Sequence, residues 1–181
     1  GYNDLRDAIS RKFMNENGIK YSADQIIVSA GRKHSLINVI LSVINPGDEV
    51  IILAPYWVSY YDQIILAGGK PVVVEALLDN DFKVRPEQLE EVITPSTRLL
   101  IFNSPSNPTG MVYTRDEMES IARVIEKHEG LFVMSDEIYE HIIFEGEHVS
   151  MASFPFIYDR VITVNGVSKG YAMTGWRIGY I

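Results

Sequence analysis

One lysine near the C-terminal end of the sequence, Lys169, stands among residue types that favour covalent chemistry on an amine. Serine and glycine flank it, and such small residues let a flat ligand come close to the backbone. Apolar neighbours would desolvate the amine and favour its neutral, nucleophilic form. Arg177, eight residues later, offers a planar guanidinium that suits a phosphate. Because an ordinary lysine is a solvated surface charge, the hypothesis of a lysine-bound aldehyde cofactor depends on the rest of the chain.

Further polar and aromatic residues follow the predicted strands, at the point where each strand ends. In an open α/β sheet, ligands bind outside the carboxyl ends of the strands. The residues at those positions, besides Lys169 and Arg177, are Gly31, Arg32, Lys33, Tyr56, Trp57, Asn107, Asp136 and Tyr139. We therefore expect these side chains to meet at one rim of the sheet, and that convergence is a stronger indication of a site than any single motif.

Several of these residues also have a purely structural interpretation. Residues 31–33 could be only a turn and a helix start, or could hold an anion through backbone N–H groups and the helix dipole. Trp57 could be a core aromatic residue or a flat surface on which a ring stacks. Taken alone, each structural interpretation is the more common one for its residue type.

The same choice applies to the later positions. Asp136 could cap a turn, or it could hold a proton on a heterocyclic nitrogen. Tyr139 follows it by three residues, so both would face the same way on a helical turn. Asn107 lies between two X-Pro bonds in a loop rich in Pro and Asn. We predict that the Asn107–Pro108 bond is cis.

The elements that would position these residues alternate between strands and helices. The predicted strands are 25–29, 49–53, 70–75, 98–102, 131–135, 160–164 and 177–181. The predicted helices are 3–17, 32–44, 57–67, 86–93, 115–129 and a short one at 149–153. Asn3 is expected to cap the first helix, Gly18 to end it, and Thr114 to form a capping box with Glu117.

This alternation predicts the fold class. We expect one domain over residues 1–181, a three-layer α/β/α structure with a mostly parallel seven-stranded sheet. The link before the last strand is too short for a crossover helix, so that strand is expected to run antiparallel to the others.

Composition narrows the classes of partner. The 181 residues are 46% hydrophobic and 22% charged, which is typical of a globular protein. A net charge of −8 argues against nucleic acid as the main partner, although a locally positive site can still bind a small anion. The absence of cysteine excludes thiolate chemistry and suits a reducing compartment, so we expect a cytoplasmic protein. We expect no membrane span and no metal site, because apolar runs are short and the histidines lack ligand spacing.

Three segments together resemble a known family. They are SPSNPTG at 104–110, SDEIY at 135–139 and NGVSKGYAMTGWRIGY at 165–180. These segments resemble the pyridoxal-phosphate-dependent aminotransferases of classes I and II, bacterial aspartate aminotransferases most of all, and the resemblance covers the whole chain. It implies a large-domain fold, pyridoxal 5′-phosphate as cofactor, transfer of an amino group from an amino acid (aspartate) to a 2-oxo acid, and a homodimer.

The resemblance also implies a role for each candidate residue. Lys169 matches the lysine that carries the cofactor as a Schiff base and then moves a proton. Asp136 matches the partner of the pyridinium nitrogen. Tyr139 and Asn107 match the two residues that bond the ring 3′-oxygen. Trp57 matches the aromatic residue stacked on the ring.

The phosphate would be held by another group of residues. Arg177 matches the phosphate-binding arginine, and Gly31, Arg32 and Lys33 match the backbone of the phosphate cup. The family often has a serine three residues before the lysine, whereas this chain has Gly166 there and Ser168 next to the lysine.

Two family residues have no match in this chain. The arginine that binds the substrate carboxylate and the tyrosine that reaches the partner's phosphate are expected outside it, in a small domain and an N-terminal arm. We therefore expect a large-domain fragment that is inactive alone.

Two alternatives remain open on this scaffold. A lyase or decarboxylase is possible because the cofactor does the bond-breaking while other parts of the protein choose the bond. A sensor is the other, since some transcription regulators carry an aminotransferase-like domain behind a DNA-binding segment. The wording of residues 165–169 and 173–177 favours an aspartate-type transaminase.

Overall fold

The computed structural model describes all residues from 1 to 181, and its centre is a single seven-stranded sheet. The strands are β1 (Val28–Ser29), β2 (Glu49–Ala54), β3 (Lys70–Glu75), β4 (Thr97–Asn103), β5 (Phe132–Asp136), β6 (Val161–Gly166) and β7 (Gly179–Tyr180). Their order across the sheet is β1-β7-β6-β5-β4-β2-β3. Strands β2 to β6 pair in parallel, and β7 runs antiparallel to both β1 and β6. The predicted mostly parallel sheet with an antiparallel last strand is confirmed.

Five α-helices connect or cover these strands. They are α1 (Asn3–Lys12), α2 (Arg32–Val43), α3 (Ser59–Leu66), α4 (Pro86–Val92) and α5 (Arg115–Glu126). The first continues into a π-helical turn at Phe13–Asn17, and the short helix predicted near residue 150 is a 3₁₀ turn at Met151–Ser153. None of the helices combines the length and the apolar character that crossing a membrane requires.

The helix ends test the predicted caps. The capping box of Thr114 and Glu117 is confirmed. The Thr114 Oγ1 accepts from the N–H of Glu117 at 3.3 Å, and the Glu117 carboxylate accepts from the N–H of Thr114 at 2.7 Å. Gly18 ends the first helical segment with φ of 68°, a left-handed conformation that glycine adopts without strain. The predicted Asn3 cap is wrong. Tyr2 is the N-cap, and Asn3 lies inside the helix, where its Oδ1 accepts from Arg6.

Two hydrophobic cores lie on the two faces of the sheet. Side chains alternate between faces along a strand, so Ile51 of β2 and its equivalents pack under α4 and α5. Ile52 and its equivalents, among them Met134, pack under α2 and α3. This division confirms the three-layer α/β/α architecture.

The same alternation sets the position of the site. Met134 faces α2 and α3, so Asp136, two residues later at the end of β5, points to the same side. The carboxyl ends of the parallel strands share one rim. The start of α2 and the loop before α3 lie over that rim, next to Asp136.

Candidate active site

Asp136 is the buried centre of the rim. Its side chain is 0% exposed, and Arg32 forms an ion pair through Nη1 with Oδ2. The hydroxyl of Tyr60, on α3, donates to the same oxygen at 2.5 Å. The backbone N–H of Ile138 donates to Oδ1 at 3.4 Å. The carboxyl group therefore has three donors in a place closed to solvent.

Burial sets the proton affinities of this group. It raises the pKa of Asp136 above its ordinary value of 3.8, against the opposing pull of the Arg32 charge. Burial, and then the neighbouring Asp136, raise the pKa of Tyr60 well above its ordinary value, so Tyr60 stays a neutral donor. Burial alone would lower the pKa of Arg32, but Asp136 together with Tyr60 and Tyr139 outweighs it and raises that pKa. Arg32 thus remains a cation beside the carboxyl group.

Trp57 forms a flat wall next to this ion pair. The guanidinium carbon of Arg32 lies 4.6 Å from the centre of the Trp57 ring, and Lys33 Nζ lies 4.9 Å from it. The ring of Tyr60 meets it edge-on at 5.5 Å. A cation over an aromatic ring is favourable because the faces of the ring carry a negative potential. Trp57 is thus an aromatic face at the site as well as a packing residue.

Asn107 and Tyr139 meet on the neighbouring side of the rim. The Asn107 amide nitrogen lies 3.5 Å from the Tyr139 hydroxyl. The Asn107–Pro108 bond is cis, as predicted, and so are Ala54–Pro55 and Ser104–Pro105. An open cavity of about 590 Å³ lies beside this pair, lined by residues of the loops 105–112 and 139–145. The space is large enough for a small organic substrate.

Lys169 lies near the same pair. Its Nζ is 5.8 Å from the centre of the Tyr139 ring. The expectation that this amine is desolvated is wrong for this chain, because Lys169 and the next two residues of its loop are exposed. The apolar neighbours in the sequence are not packed around the amine. The position of Lys169 at the rim, rather than its burial, links it to the other candidates.

Arg177 packs over the start of α2. Gly31 is the N-cap there, with φ of 88°, and a β-carbon placed on it would lie 2.9 Å from the Arg177 guanidinium carbon. The guanidinium also donates from Nη1 to the carbonyl oxygen of Thr174 at 3.0 Å. The first N–H groups of a helix, here those of Arg32 and Lys33, have no acceptor within it. A guanidinium beside free N–H groups is a suitable pocket for a phosphate.

The close approach of two strands explains why position 166 is a glycine. A β-carbon at this position would lie 2.8 Å from the carbonyl oxygen of Ile178, because β6 and β7 approach closely there. A serine at this position would meet the same obstacle.

Sequence reasoning missed three contributions to the site. Tyr60 follows Trp57 by three residues and therefore lies on the same side of a helix, a signal that was present. Asn103 stands at the end of β4 and connects Asn107 to Asp136, so the strand-end rule pointed to it as well. The pairing of the Arg32 side chain with Asp136 had no local signal, since 104 residues separate them.

Comparisons with known proteins cover the whole chain. A family model described as aminotransferase class I and II matches residues 1–181. An aspartate/prephenate aminotransferase of Cereibacter sphaeroides is 52% identical over 182 residues, which are 99% of this chain and 46% of the relative. A bifunctional aspartate aminotransferase and glutamate/aspartate-prephenate aminotransferase of Petunia hybrida is 53% identical, over 100% of this chain and 38% of the relative.

Solved structures show the same pattern. The aspartate aminotransferase of Rhizobium meliloti superposes with a TM-score of 0.97 at 44% identity, over 99% of this chain and 46% of that one. The Thermus thermophilus aspartate aminotransferase with maleate gives a TM-score of 0.95 at 46% identity, with the same coverage. The chain therefore spans less than half the length of these relatives.

Proposed function

The chain belongs to the class I and II aminotransferases, and on that premise we propose that it is the cofactor-binding part of a pyridoxal-phosphate-dependent transaminase. The complete protein would move an amino group from an amino acid to a 2-oxo acid. The names of the relatives support aspartate as the donor and prephenate as one acceptor. Because the chain spans less than half of those relatives, this activity is proposed for the complete protein.

The observation that carries the proposal is the meeting of Lys169, Tyr139 and Asn107 at the rim that holds Asp136. An amine, a phenol, an amide and a buried carboxyl group suit an aldehyde-bearing pyridine. When bound, pyridoxal phosphate supplies an electron sink that stabilises negative charge at the substrate Cα. The protein residues have to hold it, orient it and move protons.

The residues of the rim fit this cofactor in chemical type. Because Gly31 has no side chain, the Arg177 guanidinium lies against the start of α2, where a phosphate would meet both the guanidinium and the N–H groups of the helix. Asp136 is a buried acceptor for a protonated ring nitrogen, and Trp57 offers a face for the ring. Asn107 and Tyr139 lie where they can hydrogen-bond a ring oxygen. One contact competes with this arrangement, the ion pair of Arg32 with Asp136.

Lys169 has two tasks in the proposal. Its amine would hold the cofactor through the aldehyde carbon, with loss of water, until the substrate amine replaced it. The free Lys169 amine would then take the proton from the substrate Cα and deliver it to that same cofactor carbon. The Tyr139 ring lies close enough to orient the ammonium form through its π face. Since Lys169 is exposed in this chain, we assign the exclusion of water from the reacting atoms to the rest of the complete protein.

The proposal extends to domain organisation and assembly. Residues 1–181 would form the large domain of a longer enzyme, in keeping with their share of the relatives' length. A homodimer is supported by apolar residues that α3 and the residue before it expose, Val58, Tyr61, Ile65 and Leu66. The cysteine-free composition suits the cytoplasm.

Reduction of a covalent adduct tests the role of Lys169. The purified chain with pyridoxal phosphate should absorb visible light, and borohydride should make the adduct permanent. Lys169→Ala should abolish it, whereas Lys70→Ala, at the start of β3 on the opposite rim, should retain it. An adduct of undiminished yield in Lys169→Ala would contradict the assignment. In the complete protein, Lys169→Ala should also abolish oxaloacetate production from aspartate.

A further inference from the structure

The side chain of Arg32 lies where the proposed cofactor ring would bind. Arg32 begins α2, and its side chain is only 11% exposed. It pairs with Asp136 and lies over the face of Trp57, with 4.6 Å between the guanidinium carbon and the ring centre. These are the two partners that the proposed function assigns to the pyridine ring. We infer that Arg32 occupies the ring site in the cofactor-free protein and must move aside before pyridoxal phosphate binds.

The chemistry of the two occupants is alike. A guanidinium and a protonated pyridine are both planar cations with N–H groups in the plane. Both can stack on an indole and donate an N–H to a carboxylate. Arg32 therefore satisfies Asp136 and Trp57 in the way that the ring would.

Burial makes this occupation exclusive. Asp136 is 0% exposed, and its Oδ2 already accepts from Arg32 and Tyr60. Tyr60 contacts Asp136 from α3, so its hydrogen bond can remain in place when a ring binds. A ligand that donated to this oxygen would have to take the place of the Arg32 guanidinium.

The position of Arg32 in its helix supports a dedicated role. Arg32, Lys33 and His34 open α2, and the first turn contains no acidic residue. Cations at a helix N-terminus are unfavourable because the helix dipole is positive there. For Arg32, the buried carboxyl group of Asp136 compensates this cost. Lys33 is exposed and has no such ion pair in the structure.

Occupation by Arg32 has two opposite consequences. It stabilises the cofactor-free protein, since an unpaired carboxylate at a fully buried position is costly. It weakens cofactor binding, because the apparent affinity falls in proportion to the open fraction of molecules. If the open form is a minor state of about 10% or less, removal of the side chain should raise the affinity at least about tenfold.

Titration of Arg32 variants with pyridoxal phosphate tests the inference, which rests on the proposed function. Binding is followed by quenching of tryptophan fluorescence and by the yield of the borohydride-reduced adduct. Arg32→Ala should bind the cofactor at least about tenfold more tightly and should melt at a lower temperature without it. Arg32→Gln, which keeps a donor for Asp136 but is shorter, should fold well and show the same gain to a smaller degree.

Two controls separate this effect from a general change of charge. Lys70→Ala removes a cation at the exposed start of β3, on the opposite rim, so it should show no gain in cofactor affinity. Inorganic phosphate needs only Arg177 and the start of α2, so Arg32→Ala should not strengthen its binding. A similar gain in Lys70→Ala or with phosphate would overturn the inference.

The outcomes distinguish the inference from the proposed function. Equal or weaker cofactor binding in both Arg32 variants, with an adduct formed by all proteins, overturns the role of Arg32 and leaves the transaminase proposal in place. If neither the native protein nor any variant forms the adduct, the proposed function fails and the inference fails with it. If only the Arg32 variants form the adduct, the result supports the inference, because the native Arg32 side chain then blocks cofactor binding completely.

Discussion

The side chain of Asn103 joins the two halves of the rim, because its Nδ2 donates a 2.8 Å hydrogen bond to the backbone oxygen of Asp136. Its Oδ1 accepts from the backbone N–H of Asn107, also at 2.8 Å. One amide thus fixes the end of β5 relative to the loop that carries Asn107. Asn107 in turn lies against Tyr139. Together with the parallel pairing of β4 and β5, this side chain therefore holds the buried carboxyl group at a fixed distance from the residues nearest Lys169.

Replacement of Asn103 by leucine should disturb both the end of β5 at Asp136 and the loop that carries Asn107. Leucine has a similar shape but removes both hydrogen bonds, so we expect a loss of about 1–3 kcal/mol in the free energy of unfolding. Pyridoxal phosphate affinity should fall as well, because the Asn107 loop loses its attachment. Urea unfolding and fluorescence titration measure the two effects. Asn103→Asp keeps the acceptor for Asn107 and should lose less cofactor affinity than Asn103→Leu; the reverse order would contradict this role.

Removal of the Tyr60 hydroxyl should weaken the protein in a pH-dependent way. Tyr60→Phe keeps the ring against Trp57 but takes a donor from buried Asp136, which should cost about 1–3 kcal/mol at neutral pH. Burial already raises the pKa of Asp136, and the lost donor raises it further.

The sign of the pH dependence follows from that shift. A carboxyl group with a raised pKa binds more protons in the folded state, so its cost to stability appears as pH rises through the folded pKa. The difference between Tyr60→Phe and the native protein should be largest at neutral pH and should shrink in acid, where Asp136 is protonated. Unfolding curves across the pH range measure it. A difference that stays constant down to acid pH would show that Tyr60 acts through packing alone.

The sheet was predictable because its signals are local. Runs such as Val72–Val74 and the breaks at Gly and Pro marked the strands, and the short link before Gly179 indicated the antiparallel strand. The strand-end rule then selected Asp136 and Asn107 for one rim. Each of these inferences needs only the residues within one or two elements.

The errors come from contacts between distant parts of the chain. The exposure of Lys169 depends on what packs over its loop, which apolar neighbours in the sequence do not reveal. The partner of Arg32 is 104 residues away. The local sequence at the start of α2 therefore predicted only anion binding by backbone N–H groups, and not the burial of the Arg32 side chain against Asp136. Asn3 is a favourable cap by type, but Tyr2 is the residue that has the extended backbone of an N-cap.

A buried ion pair behind Tyr139 should make stability fall in acid. Glu140 pairs with Lys12 of α1, and Asn17 and Asn165 donate to it at 2.8 and 2.6 Å. Burial alone would raise the pKa of Glu140, but Lys12 together with Asn17 and His148 outweighs it and holds that pKa below the ordinary 4.5. A lowered folded pKa gives stability that is present above about pH 4.5 and is lost as pH falls through the folded value.

Glu140→Gln should remove that dependence. It leaves Lys12, whose side chain is only 9% exposed, with Glu16 at 3.5 Å as its remaining anion, and we expect a loss of about 1–3 kcal/mol at neutral pH. Below the folded pKa the variant and the native protein should converge. Glu129→Gln, on an exposed loop after α5, serves as a control. It should change neither the stability at neutral pH nor its loss in acid. A full loss of stability that persists in acid would contradict the role of the charge.

A methyl group on Gly31 should separate phosphate binding from backbone strain. At Gly31 the β-carbon of alanine would lie 2.9 Å from the Arg177 guanidinium carbon, so Arg177 has to leave the start of α2. Gly47 has a similar φ, 93° against 88°, and has nothing within 4 Å of such a carbon. Alanine at either position should cost about 1–3 kcal/mol of strain.

Only Gly31→Ala should lose affinity for pyridoxal phosphate. A hydrogen bond to a charged group is worth about 1.5–3 kcal/mol, which corresponds to roughly a ten- to hundredfold weaker dissociation constant. The affinity of Gly31→Ala for inorganic phosphate should fall by a similar factor, because phosphate would bind the same guanidinium and the same N–H groups. Calorimetric titration of both variants measures the difference. Equal affinities in Gly31→Ala and Gly47→Ala would place the phosphate away from Arg177 and the start of α2.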